Sequence, residues 1–282
     1  MPIAILFVLL WSTGFIGAKL GLPYAEPFTF LLVRFWLVTA IVLALAVITR
    51  APWPGSSRDV LHLVVGGLLI HATYLSGVFY SMYKGVPAGV TALIVGMQPV
   101  LTAIVVGPLL GEKVIPRQWL GLALGVIGVA LVVHNKLSLN TSDTDGFVWS
   151  AAALLGITAG TLYQKKYCTA MDLRTSSVIQ YLAAGIAMSF AAPLFESMKV
   201  VWTGEFVFAL LWLSLVLSVG AIFLLYVLIR RGKASSTASL FYLVPPCTGL
   251  IAYFVFGETL GVAAIFGMGI ALVGVALVVW RP

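Results

Sequence analysis

Gly121-Leu-Ala-Leu-Gly-Val-Ile-Gly-Val-Ala-Leu-Val-Val133 decides the fold class. The stretch carries no charge, and no polar side chain alternates with the apolar ones. A transmembrane β-strand shows that alternation, because one face meets lipid and the other the lumen. Leu210–Ile229 is a second block of this continuously apolar kind. In hydrocarbon every backbone group must be satisfied within its own segment, so such a block folds as a helix. Working outward, ten blocks approach the ~20 residues that a bilayer-crossing helix needs. They cover roughly 3–22, 27–48, 60–82, 86–110, 117–134, 146–164, 175–195, 205–229, 234–256 and 260–280. Across the 282 residues 61% are hydrophobic and 9% charged, against about a quarter charged in soluble domains. The expectation is an all-α membrane protein with ten transmembrane helices.

The opening stretch repeats. Shifted by 146 residues, Gly121 falls on Gly267, Gly128 on Gly274, and Val129–Val133 recurs unchanged as Val275–Val279. The same shift carries Gly14 onto Gly160, Lys19 onto Lys165, Tyr80 onto Tyr226, Pro99 onto Pro245, Thr102 onto Thr248 and Gly111-Glu112 onto Gly257-Glu258. Apolar identities arise easily by chance, so the aligned prolines and Gly-Glu pairs carry the comparison. It divides the chain into a five-helix repeat at 1–136, a linker at 137–146 and a second repeat at 147–282. Five is odd, so the second copy enters the membrane from the opposite side. Inverted repeats recur in secondary transporters, where two like halves move about a site near the midplane.

Charge orients the helices. With the N-terminus inside, Arg50, Arg58, Lys113, Arg117, Lys165, Lys166, Arg174, Arg230, Arg231, Lys233 and Arg281 fall on the cytoplasmic side. Only Lys19, Lys84, Lys136 and Lys199 oppose them. Cations favour short cytoplasmic loops, so both termini are expected in the cytoplasm of a bacterial inner membrane. The net charge of +7 therefore reports topology, and no solvated basic domain exists to bind nucleic acid. The first block lacks a basic leader and a small-x-small cleavage site and reads as a retained helix. Cys168 and Cys247 are the only cysteines, too few for a disulfide framework or a metal cluster. No metal, no cofactor and no catalytic group is expected.

Polar side chains inside the blocks are the candidate site. Arg34 lies about two turns into the second block, and an ionisable residue at membrane depth marks function unless it snorkels to the interface. Its repeat partner is Gln180, which suggests that both face the bundle interior. His71, Tyr74 and Val78 share one helical face. His71 reads either as a proton or substrate group or as an interhelical hydrogen bond. Thr91, Gln98 and Thr102 form one stripe, and Ser235, Ser239, Tyr242 and Pro246 another. Pro99 and Pro245 are expected to kink their helices. Trp53, Trp149, Trp202 and Trp280 sit near block ends and read as interfacial belts. Trp11, Tyr74, Tyr163 and Tyr242 lie deeper and read as cavity walls or as packing. Gly-x-x-x-Gly spacings at 121–128 and 267–274 read as close helix contacts. Glu112 and Glu258 read as helix caps or as proton-coupling groups.

Leu10-Trp11-Ser12-Thr13-Gly14-Phe15, Arg34-Phe35 and Met97-Gln98-Pro99 with Gly111-Glu112, Gly121 and Gly128 resemble the EamA family of the drug/metabolite transporter superfamily. So does the second block, from Pro245 through Gly257-Glu258 to Gly267 and Gly274. The resemblance covers the whole chain in two copies. It implies ten helices in inverted repeats, cytoplasmic termini and a central cavity bounded by helices one, three, four, six, eight and nine. It also implies export of amino acids and related metabolites, often in exchange for protons. A phosphorylated solute would want cations in the cavity, and Arg34 alone offers one. The expected function is a secondary carrier of small polar metabolites. The alternatives are a channel-like facilitator, or an intramembrane enzyme or scaffold. No nucleotide-binding motif points to direct drive by ATP.

Overall fold

The computed structural model describes residues 2–86, 88–133, 144–256 and 261–279. Glu258, Lys136, Trp280 and Arg281 lie outside them. The described residues are helical almost throughout, with one isolated antiparallel bridge between Ala25 and Val200.

Helix α1 runs Pro2–Gly21 and α2 Pro27–Ile48, the latter opened by Pro27, whose fixed φ suits a first turn. Helix α3 covers Ser57–Tyr83. It starts where the Ser56 hydroxyl accepts from the Asp59 amide at 3.1 Å, a side-chain cap on an orphan donor. Helix α4 comes in two pieces, Ala88–Val95 and Gln98–Leu110. Next come α5 (Pro116–Val133), α6 (Thr144–Tyr167) and α7 (Leu173–Phe195). Helix α8 is Gly204–Arg231, capped by the Thr203 hydroxyl on the Phe206 amide at 3.2 Å. Helix α9 passes from Ala234–Ser239 through a 3₁₀ turn at Leu240–Leu243 into Val244–Phe256. Helix α10 is Val262–Val279.

Seven of these, α1, α2, α3, α6, α7, α8 and α10, are long and apolar enough to cross a membrane. Two of the other three are interrupted, and the sequence explains both breaks. Pro99 stands in the first turn of the second piece of α4, directly after Gly96-Met97. Pro245 and Pro246 stand in the first turn of the last piece of α9. A proline has no N–H to give the preceding turn, so each helix restarts there. Helices α3 and α8 carry π-helical stretches at Leu68–Thr73 and Trp212–Ala221. Shifting the first by 146 residues places it inside the second.

Helix pairing follows a pattern. Helix α5 packs along α10, and α2 along α7. Helix α1 packs on α8 and α9, while α6 packs on α3 and α4. At the α5–α10 seam a Cβ on Gly121 would lie 2.6 Å from the Gly274 carbonyl, and one on Gly128 2.7 Å from the Gly267 carbonyl. The glycines are what let these backbones touch. The outer faces are apolar: Ile48, Leu194, Phe195, Phe254 and Phe266 are all strongly exposed. Water would oppose a surface of this kind, whereas lipid accepts it.

Candidate substrate pathway

Buried polar side chains occur on most helices of this bundle, and one group of them meets between α2, α3, α6, α7 and α8. Arg34 is 3% exposed, and its Nε donates to the Ser218 hydroxyl at 3.0 Å. Ser218 also accepts, through its carbonyl, from the Tyr181 hydroxyl at 2.9 Å. The Tyr181 ring stacks on His71 with centroids 4.0 Å apart. The Tyr226 hydroxyl lies 3.2 Å from His71 Nε2 and donates to Gln180 Oε1. Gln180 Nε2 in turn donates to Gln164 Oε1 at 3.1 Å. Helices α2, α3, α6, α7 and α8 thus share one continuous polar network. In a low-dielectric interior such a network is rigid when its members are satisfied. His71 Nδ1 is the buried exception, with no hydrogen-bond partner.

Among the described residues, three voids lie in series beside this network. The first is lined by Arg34, Tyr74, Trp11, Phe15, Leu217 and Phe79, among others. The second shares Trp11, Phe15 and Tyr74 with it, and adds Gly96 at the break in α4 and Pro245 at the break in α9. The third shares Phe241 with the second, and adds Gln98, Thr161, Ile229 and Thr237. The row therefore passes both helix breaks, and aromatic rings divide its voids. Trp11 stacks on Tyr74 at 6.2 Å between centroids and meets Phe241 edge-on at 5.2 Å. The voids have room for a few waters rather than a solute the size of an amino acid.

Charged side chains tie the helix ends of the bundle together. Glu196, which follows α7, accepts from the amides of Phe28 and Thr29 at 2.7 Å each. It also accepts from the hydroxyls of Thr29 and Tyr80 at 2.8 Å each. A carboxylate at the start of α2 meets both free N–H groups and the positive end of the helix dipole. Glu26 answers from the other side, accepting from the Ser197 amide at 2.7 Å. Beside the third void Glu112 accepts from the Ala234 amide at 3.0 Å, capping α9. Lys165 donates to the carbonyls of Ile229 and Gly232 at 2.7 Å each, closing off α8. Ala234 and Ile229 line the third void, so these two charged groups stand at its mouth. Beyond them, the Arg174 side chain holds the Asp172 carboxyl below its ordinary value.

The model of the EamA-like transporter family matches the chain twice, over residues 1–134 and 145–280. The chain belongs to the EamA-like transporter family. It is a multi-pass membrane protein of that family, and its relatives carry transporter names. An "Uncharacterized transporter" of Archaeoglobus fulgidus is 28% identical, over 96% of this chain and 94% of its own length. A "Probable terminal-alkyne amino-acid exporter" of Streptantibioticus cattleyicolor is 26% identical, over 97% and 91%. A "Probable amino-acid metabolite efflux pump" of Escherichia coli K12 is 27% identical, over 58% of this chain and 52% of its own. One solved crystal structure superposes with a TM-score of 0.80 at 18% identity, covering 98% of this chain and 95% of that one, a likeness of fold.

Within this EamA-like chain, the residues singled out from sequence separate into groups. Trp11, Arg34 and Tyr74 line the first void, and His71 and Gln180 join the network beside it. Gln98 lines the third void, where its Nε2 donates to the Thr161 hydroxyl at 3.2 Å and its Oε1 has no partner. Tyr163 stands apart, near the end of α6, with its hydroxyl 2.7 Å from His62 Nδ1. Tyr242 is fully buried and packs its ring on Gly125 of α5. Thr91 bonds the Ser81 hydroxyl at 2.8 Å. Sequence reading passed over Phe15, Phe241, Tyr181, Ser218 and Gln164 as site residues. Gln164, an amide in the last turn of its helix, carried the clearest signal; the rest look like ordinary residues of a buried helix.

Proposed function

We propose that the chain is a secondary carrier that exports amino acids or closely related metabolites by alternating access. The observation that carries this is the series of small voids passing Arg34, both helix breaks and Gln98, each too small for a solute in this conformation. A channel needs a continuous lumen. A carrier needs a small site and two gates that open in turn, and Glu196 with Glu26 and Glu112 with Lys165 are suited to that role.

We also propose ten membrane spans in two inverted five-helix repeats, 1–136 and 147–282, with both termini in the cytoplasm. The helix pairing supports this reading. Exchanging each helix for its counterpart five places on leaves α2–α7 and α5–α10 unchanged, turns α1–α8 into α6–α3, and turns α1–α9 into α6–α4. All of these pairs are present. The coincident π-helical stretches of α3 and α8 follow the same relation. The exporter names of two relatives support amino acids as the cargo class, and protons are the proposed counter-ion.

Flux in proteoliposomes, with and without a pH gradient, is the direct test. Saturable counter-transport of an aromatic or branched amino acid supports the proposal. Unsaturable flux would indicate a channel. Chemical turnover of the solute would indicate an enzyme.

A further inference from the structure

Arg34 is the one Lys or Arg among the described residues that is fully buried. No carboxylate accompanies it. All nine acidic residues, Glu26, Asp59, Glu112, Asp143, Asp145, Asp172, Glu196, Glu205 and Glu258, fall at or beyond the ends of the hydrophobic blocks. Tyr74 lines the same void as Arg34, and Tyr181 donates to the Ser218 carbonyl beside it, but both phenols are uncharged at physiological pH. Its described hydrogen bond goes to a neutral hydroxyl. A buried cation without a counter-ion is costly. Here the cost falls on a side chain that lines the first void.

We propose that the missing counter-charge is the solute's own carboxylate, held by Arg34 once the helices part around the first void, with the solute's apolar arm against Trp11, Phe15, Tyr74 and Leu217. This deepens the carrier reading and rests on it. Guanidinium and carboxylate pair through two parallel hydrogen bonds, and the Nε bond to Ser218 fixes the guanidinium's orientation beside the void. The other lining residues carry no charge and are mainly apolar, so a single negative charge with a hydrocarbon body matches them. A phosphate dianion would bring a second charge with nothing to balance it. The repeat position that would supply a second cation holds Gln180, whose amide is already engaged by Tyr226 and Gln164. An amine lacking the carboxylate would place two cations together and is refused.

The test uses full-length protein in proteoliposomes with four probes: L-phenylalanine, 3-phenylpropionate, phenylalaninamide and phenethylamine. The expected result is saturable flux of one or both carboxylates, with the amide and amine at least tenfold slower. Arg34→Gln should lose carboxylate flux at least tenfold, and Arg34→Lys should keep the preference at reduced rate. If Arg34→Gln does not fold, as judged by gel filtration and melting, the wild-type probe preference decides alone. Preferred flux of the amine or amide overturns the role of Arg34 and leaves the carrier reading standing. So does folded Arg34→Gln with unchanged carboxylate preference. No flux of any of the four overturns the carboxylate proposal. If broader panels of amino acids and neutral metabolites also fail to move, the carrier reading falls separately.

Discussion

Gly125 and Tyr242 face each other so closely that a Cβ on the glycine would lie 2.2 Å from the tyrosine ring. Gly125→Ala therefore overpacks the α5–α9 contact, and such changes cost about 1–3 kcal/mol. The expected outcome is a lower melting temperature in detergent. Gly269→Ala on α10 is the control, since nothing lies within 4 Å of that position, and it should melt at or above wild type. Cys168, just past α6, is 0% exposed, and burial pushes its thiol up to about 12. The thiolate is the reactive form, and a raised value keeps the group protonated up to that pH. Native protein at pH 8 should thus label at Cys168 with maleimide at less than a tenth of the denatured rate, read by mass spectrometry. Arg34 and Gln98 stood out in the sequence because polar groups at membrane depth are expensive without a partner, and Trp11 and Tyr74 because they lie away from the interfacial belts. Phe241 was not, because a phenylalanine in an apolar helix looks the same whether it divides two voids or fills a core.

Among the elements, the start of α2 shows how much one side chain can organise. Four donors converge on Glu196: two amides, the Thr29 hydroxyl and the Tyr80 hydroxyl. Glu196→Gln keeps the shape but removes the charge and gives one side of the group hydrogens to donate. Hydrogen bonds to a charged group contribute about 1.5–3 kcal/mol, so the substitution should loosen the link between α2 and α7. The measurement is limited proteolysis of the 196–203 connection, which should quicken. Unchanged cleavage would mean that this end is held elsewhere. The breaks in α4 and α9 belong to the same scale. The prolines predicted kinks, and the helices are in fact interrupted, with the voids passing beside Gly96 and Pro245.

At the scale of the whole molecule, the proposed topology places Lys199 and Lys113 on opposite sides of the membrane, with α5, α6 and α7 between them. Both side chains are exposed. Lys199→Cys in intact cells should label with a membrane-impermeant maleimide, whereas Lys113→Cys should label only after permeabilisation. Labelling of both from outside would remove the three-span count, and the reverse pattern would invert the orientation.

The apolar blocks by themselves determined that the chain is helical and bound for a membrane, because hydrocarbon leaves the backbone no other way to satisfy its polar groups. The twofold occurrence of Pro, Gly-Glu and Gly motifs at a constant shift determined the family resemblance. What only the tertiary structure decided was which polar groups meet. Arg34 finds Ser218 on α8, His71 lies beside Tyr226, and Gln180 reaches Gln164, partners separated by 184, 155 and 16 residues. Helical periodicity tells which side of a helix a residue takes, but not which helix stands opposite. That depends on how helices of nearly uniform hydrophobicity pack, and there the deciding features are close glycine contacts, proline breaks and the few hydrogen bonds that lipid will not replace.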